Sequence, residues 1–146
     1  MEINILMVCL GNICRSPLAE GVLKSKLPST RFRIDSAGTE SFHIGKSPDY
    51  RSIKVAAYHG IDISFQKARA FKLEDFNLFD KIYVMDRNNL KIIKQLAETS
   101  EQRDKVSLVL ENEEIPDPYY GDEKDFEMIF GLLNKACDKI KSDLIN

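Results

Sequence analysis

The chain has 146 residues, 43% of them hydrophobic and 30% charged, with a formal net charge of −2. That length suits one domain with its own core, residues 1–146, and so small a charge excludes the strongly basic proteins that bind nucleic acid or anionic membranes. An odd number of cysteines, with Cys9 and Cys14 close neighbours, argues against a secreted disulfide framework and for a reducing cytoplasm.

The opening segment MEINILMVCLGN carries an acidic residue at position 2 and too short an apolar run for a signal peptide. No stretch approaches a membrane span. Ile3 to Val8 is nearly continuous apolar sequence, the pattern of a strand buried on both faces. From Pro17 the period becomes helical, with Leu18, Ala19, Val22, Leu23 and Leu27 on one face and Pro28 as the stop. Arg31 to Asp35 reads as a second strand. PDYRSIKVAAYHG reads as a helix closed by Gly60. Lys81 to Asp86 is a third strand with a helix after it, and Lys105 to Leu110 a fourth. From Asp122 a long helix carries Phe126, Ile129, Phe130, Leu133, Cys137, Ile140 and Leu144 on one stripe. Strands alternating with helices predict an α/β fold: a parallel sheet covered on both faces.

The segment VCLGNICRSPLAEG then falls at the carboxyl end of the first strand and leads into a helix, where open parallel sheets bind ligands and helix N-termini attract anions. Gly11 and Asn12 tolerate left-handed backbone angles, so the loop from Leu10 through Ile13 and Cys14 can aim successive N–H groups at one anion. Arg15 adds a planar fork of donors matched to phosphate oxygens. Ser16 suits the helix cap and Pro17 the first helical position. Cys9 lies at the centre of this nest. A helix N-terminus and an arginine favour the thiolate of a nearby cysteine, and a thiolate facing a bound phosphate is a nucleophile for phosphoryl transfer. Departure of the leaving oxygen needs a proton donor. Asp117, between Pro116 and Pro118 on a stiff loop after the fourth strand, offers one.

A lone cysteine at a strand end is usually a small buried hydrophobe, and an acidic, proline-containing loop is usually a solvated turn. The company that Cys9 and Asp117 keep raises the functional reading of both. Zinc is not expected, because Cys137 lies on an apolar stripe and the two histidines form no cluster. A P-loop NTPase is excluded by the missing lysine.

Together these residues resemble the low-molecular-weight protein tyrosine phosphatases. The resemblance runs over nearly the whole chain: VCLGNICRSPLAEG, DSAGT, PDYR, HGID, FDKIYVMDRNNL and DPYYGDEKDFE. It implies a four-stranded parallel sheet between helical layers with the phosphate-binding loop after the first strand. It implies that Cys9 forms a phosphocysteine, that Arg15 clamps the equatorial oxygens, and that Ser16 hydrogen-bonds the sulfur. Asn12 would be held in a strained conformation with Ser36 as a partner. Asp117 would be general acid and then base, Phe42 and Tyr119 the walls of a slot for phosphotyrosine, and Asp86 a support beneath the site. Phe65 departs from the pattern, since many relatives carry a histidine there near the loop network. No metal or cofactor is implied. The expected partners are phosphotyrosine-containing proteins or peptides, with inhibition by phosphate-like oxyanions, and a monomer is expected.

Two enzymes with a similar loop compete. A thioredoxin-coupled arsenate reductase needs further cysteines in a mobile segment, and FKLEDFNLFDKIYVMD has none. Phosphoarginine phosphatases tend to have threonine where this chain has Ile13. A non-catalytic phosphopeptide-binding module is opposed by the intact set of Cys9, Arg15 and Asp117. Cys14 is expected either to trap oxidised Cys9 as a disulfide or to pack as a small residue under the loop.

Overall fold

The apolar run at the start forms an inner strand. In a computed structural model describing residues 2–145, β1 (Ile3–Cys9) lies parallel between β2 (Phe32–Gly38) and β3 (Lys81–Val84). β4 (Val106–Leu108) pairs in parallel with β3, giving the order β2-β1-β3-β4. Ile5 to Val8 are fully buried, as a strand covered on both faces requires.

Alternation along β1 divides the core. Ile5, Met7 and Cys9 face the layer that contains α1 (Arg15–Lys26), α2 (Tyr50–Tyr58) and α6 (Glu123–Leu144). Leu6 and Val8 face the opposite layer, with Phe76 of α3 (Asp75–Leu78) and Ile93 of α4 (Arg87–Leu96). The stripe expected on the last helix is buried from Phe126 to Ile140. Cys137 lies in that core, and burial pushes its thiol up to about 12. Two short helices, α3 and α5 (Ser100–Asp104), join the expected elements. β2 runs on to Gly38, beyond the expected Asp35, while β3 and β4 stop earlier than expected.

Every strand thus points its carboxyl end toward one edge of the sheet. The loop after β1, the start of α4 after β3 and the segment after β4 all collect there. Ser16 is not the cap expected of it: α1 begins at Arg15 with Cys14 at the cap position and no side-chain cap bond. The Ser16 hydroxyl is instead turned inward to Cys9 and Asn12. Pro17 is the third residue of α1, not the first as expected, but it still lies in the first turn, where a backbone N–H would have no helical partner. Among the described residues no helix is long and apolar enough to cross a membrane.

Candidate active site

The loop after β1 is fastened by its carbonyls. Thr39 N donates to Cys9 O at 2.9 Å, Glu40 N to Leu10 O at 2.9 Å, Asp49 N to Ile13 O at 2.7 Å, and Ser52 Oγ to Cys14 O at 3.2 Å. Among the described residues no backbone N–H group from Leu10 to Cys14 has a protein acceptor. Outward carbonyls and unused N–H groups are the electrostatic pattern of an anion nest. Gly38 makes the close approach possible, since a Cβ there would lie 2.8 Å from Leu10 O and 3.1 Å from Asn12 N.

Asn12 holds the loop in shape. Its φ of 59° is left-handed, a conformation that disfavours most side chains by roughly 1–2 kcal/mol. Its amide is satisfied on both sides: Nδ2 donates to Ser16 Oγ at 2.8 Å and to Ser36 Oγ at 3.0 Å, and Oδ1 accepts from Arg69 N at 2.9 Å. Ser36 in turn donates to Glu20 at 2.7 Å, and Lys24 closes the chain on the other Glu20 oxygen at 2.7 Å. Glu20 is 4% exposed. Burial pushes its carboxyl above the ordinary value despite the bonds from Lys24 and Ser36. Phe65 gives this network no hydrogen bond; it is exposed and meets it only through Lys24, whose ammonium lies over its ring.

Cys9 Sγ lies 3.1 Å from Ser16 Oγ on the buried floor of the loop. Arg15 is 2% exposed. Its Nη1 donates to Asp86 at 2.7 Å and to Ile115 O at 2.9 Å, and Nη2 stands 3.6 Å from Asp117 Oδ2. Burial opposes the guanidinium charge, but Cys9, Asp86 and Asp117 outweigh it and hold Arg15 more firmly protonated than usual. Asp86 does two things: it binds Arg15, and it caps α4 in a reciprocal box with Asn89. Cys14 is buried beside Cys9, and burial, followed by Asp49, Cys9 and Asp117, pushes its thiol well above the usual range.

A cavity of about 300 Å³ opens above this floor. Cys9 and Arg15 lie at its base, Ile13 and Asp117 on its sides, and Phe42, Tyr119 and Tyr120 at its mouth. Phe42 is mostly exposed, so it forms a rim more than a wall. Two residues passed over in the sequence also belong here. His43 lies against Gly11, where a Cβ would meet its ring at 2.9 Å, and its ring centroid is 6.5 Å from that of Tyr119. Arg51 donates to the carbonyls of Tyr119 and Gly121, both at 2.8 Å. Arg51 lies in the PDYR segment, but nothing local in the sequence shows its contacts with the Asp117 loop. Among the described residues no three His, Cys, Asp or Glu side chains gather to hold a metal ion.

The family model for low molecular weight phosphotyrosine protein phosphatase matches residues 4–145. The chain is 38% identical over 144 residues to the low molecular weight phosphotyrosine protein phosphatase of Gallus gallus, covering 92% of this chain and 90% of that one. Among solved structures, the protein tyrosine phosphatase of Entamoeba histolytica with Hepes in its active site superposes with a TM-score of 0.92 at 34% identity, covering 98% of this chain and 97% of that one. Vibrio vulnificus Wzb in complex with benzylphosphonate gives 0.89 at 30% identity, covering 98% and 99%. The chain belongs to the low molecular weight protein-tyrosine-phosphatase family.

Proposed function

We propose that the chain is a single phosphatase domain that hydrolyses phosphotyrosine through a phosphocysteine on Cys9. The observation that carries this reading is the convergence of Cys9, Arg15 and Asp117 on one cavity beneath unused loop N–H groups. The phosphate dianion takes the N–H groups of Leu10 to Cys14 and the Arg15 fork, so its charge is met by donors already in place. Cys9 Sγ attacks phosphorus. As the bond to the phenolic oxygen breaks, Asp117 gives that oxygen its proton. In the second step the Asp117 carboxylate takes a proton from water, the oxygen attacks phosphorus, and the S–P bond breaks with Ser16 donating to the departing sulfur. Asp86 keeps Arg15 aimed at the phosphate.

The aromatic mouth and Ile13 suit a phenyl ring, and the benzylphosphonate held by the Vibrio relative is a phosphate-like group one methylene from a phenyl ring. The near-zero charge favours protein or peptide substrates over nucleic acid. Three free, buried cysteines favour a reducing cytoplasm, and we infer action as a monomer inhibited by phosphate-like oxyanions. Turnover of an aryl phosphate and a phosphotyrosine peptide, with and without vanadate, tests the proposal. Vanadate-sensitive release of phosphate from both is expected; no turnover of either, or turnover indifferent to vanadate, contradicts it.

A further inference from the structure

Asp117 is carried by a segment with few holds. Within residues 116–121 two bonds are internal: Tyr119 N to Asp117 Oδ1 at 3.1 Å, and Gly121 N to Pro118 O at 2.8 Å. The ion pair from Arg15 to Asp117 spans 3.6 Å, longer than a direct charge-assisted hydrogen bond. Among the described residues, one side chain from outside hydrogen-bonds this backbone. Arg51 gives Nη2 to Tyr119 O and Nη1 to Gly121 O, each at 2.8 Å.

Arg51 is itself fixed. Its Nε and Nη2 bind the two Asp49 oxygens at 3.0 and 2.9 Å, and its guanidinium lies 4.5 Å from the ring centroid of Phe126 on α6. Asp49 then reaches the phosphate loop directly, its N–H donating to Ile13 O at 2.7 Å. One planar group thus links the phosphate loop, the start of α2, the Asp117 segment and α6. A general acid must come within about 2.6–3.2 Å of the oxygen it protonates, and a displacement of about 1 Å in such a group can cost roughly a hundredfold in rate.

We propose that Arg51 is a positioning residue for the acid step: by bridging Asp49 to the Tyr119 and Gly121 carbonyls, it holds Asp117 over Cys9 at the height of the leaving oxygen. This rests on the reading of Asp117 as general acid. Lysine can replace it only in part, because an ammonium on a flexible stem cannot serve two carbonyls and a carboxylate in one plane. A purely architectural Arg51, joining α2 to α6, makes a different prediction. Its loss would then slow every substrate alike and add to any defect at Asp117.

The test is a series of aryl phosphates whose leaving phenols run from acidic nitrophenols to tyrosine itself. It compares wild type, Arg51→Met, Arg51→Lys, Asp117→Asn and the Arg51→Met/Asp117→Asn double variant, with inhibition by inorganic phosphate measured for each. Arg51→Met should lower kcat/KM for phosphotyrosine by roughly ten- to a hundredfold, and the loss should shrink steadily toward the nitrophenols. Its phosphate inhibition constant should stay within about twofold of wild type, and the double variant within about twofold of Asp117→Asn alone, the scatter expected of effects that do not compound. Arg51→Lys should show the same trend along the series at smaller amplitude, and it decides the matter if Arg51→Met does not fold. An equal loss across the series, a multiplicative loss in the double variant or a matching loss of phosphate affinity overturns the positioning role. A flat series for Arg51→Met beside a steep one for Asp117→Asn removes Arg51 alone; a flat series for Asp117→Asn removes the acid assignment and the tether with it.

Discussion

Arg15 Nη1 stands 2.7 Å from Asp86 Oδ2, so a carboxylate at the start of α4 holds the guanidinium at the base of the cavity. The same carboxylate accepts from Asn89 N at 2.8 Å as the helix cap. The two duties separate by substitution. Asp86→Asn keeps an oxygen for the cap and loses the charge that holds Arg15, whereas Asp86→Ala loses both. Both variants should lower kcat/KM by a similar factor, roughly ten- to a hundredfold. Asp86→Ala should be less stable than Asp86→Asn by about 1 kcal/mol, the usual cost of a lost cap. Unfolding midpoints and kinetics measured side by side check this; full activity in Asp86→Asn contradicts the hold on Arg15.

Asn12 combines a left-handed φ of 59° with bonds from both ends of its amide. Glycine accepts that φ without penalty, and alanine does not. Both lose the bonds to Ser16, Ser36 and Arg69. Asn12→Ala should therefore unfold more easily than Asn12→Gly by about 1 kcal/mol, while both lose turnover. Equal stability of the two would show that the loop relaxes out of the left-handed conformation.

Glu20 gives a pH signature. Burial raises its carboxyl above the ordinary value of 4.5, so the folded protein binds this proton more tightly than the unfolded chain does. Its contribution to stability is full below 4.5 and is lost as pH rises through the raised folded value. Glu20→Gln can still accept from Ser36 and does not ionise. Its stability relative to wild type should improve as pH rises from about 4 to 7. Denaturant midpoints at several pH values decide the point; a difference that stays flat, or improves toward acid, contradicts it.

Substrate choice follows from the sides of the cavity. Ile13, Tyr119 and the rim of Phe42 and His43 offer apolar and aromatic contact, which a phenyl ring gains from more than a guanidinium, whose N–H groups need acceptors. Phosphotyrosine peptides should exceed matched phosphoarginine and phosphoserine peptides in kcat/KM. Ile13→Thr should narrow the gap to phosphoarginine. A wild type that favours phosphoarginine, or does not discriminate, contradicts the tyrosine assignment while leaving the thiolate chemistry standing.

What was legible in the sequence was what local pattern encodes. The apolar run from Ile3, the Gly11–Asn12 pair and Pro17 mark strand, turn and helix in sequence, and they put Cys9 and Arg15 in one loop. α3 and α5 were hidden because single turns are too short to show a period. β2 continues through Ser36 and Gly38, poor strand formers held by pairing with Met7 and Cys9 of β1. Ser16 was misread as a cap because that duty and a bond to a buried sulfur call for the same hydroxyl. Arg51 looks like ordinary helix-surface charge, since its partners stand about seventy residues along the chain at Tyr119 and Gly121. Lys24 and Glu20 likewise look like an ordinary pair one helical turn apart; only the packing of Ser36 against Glu20 joins them to the loop.

Replacing Cys9 with serine tests the chemistry most directly, because it removes the sulfur and leaves the nest of N–H groups and Arg15 in place. A serine hydroxyl has no base beside it: its neighbour at 3.1 Å is the Ser16 hydroxyl. The measurement is hydrolysis of a phosphotyrosine peptide by Cys9→Ser, paired with binding of inorganic phosphate to the same variant by calorimetry. Turnover should be abolished while phosphate still binds. Substantial turnover by Cys9→Ser, with phosphate bound as in wild type, would contradict a phosphocysteine on Cys9.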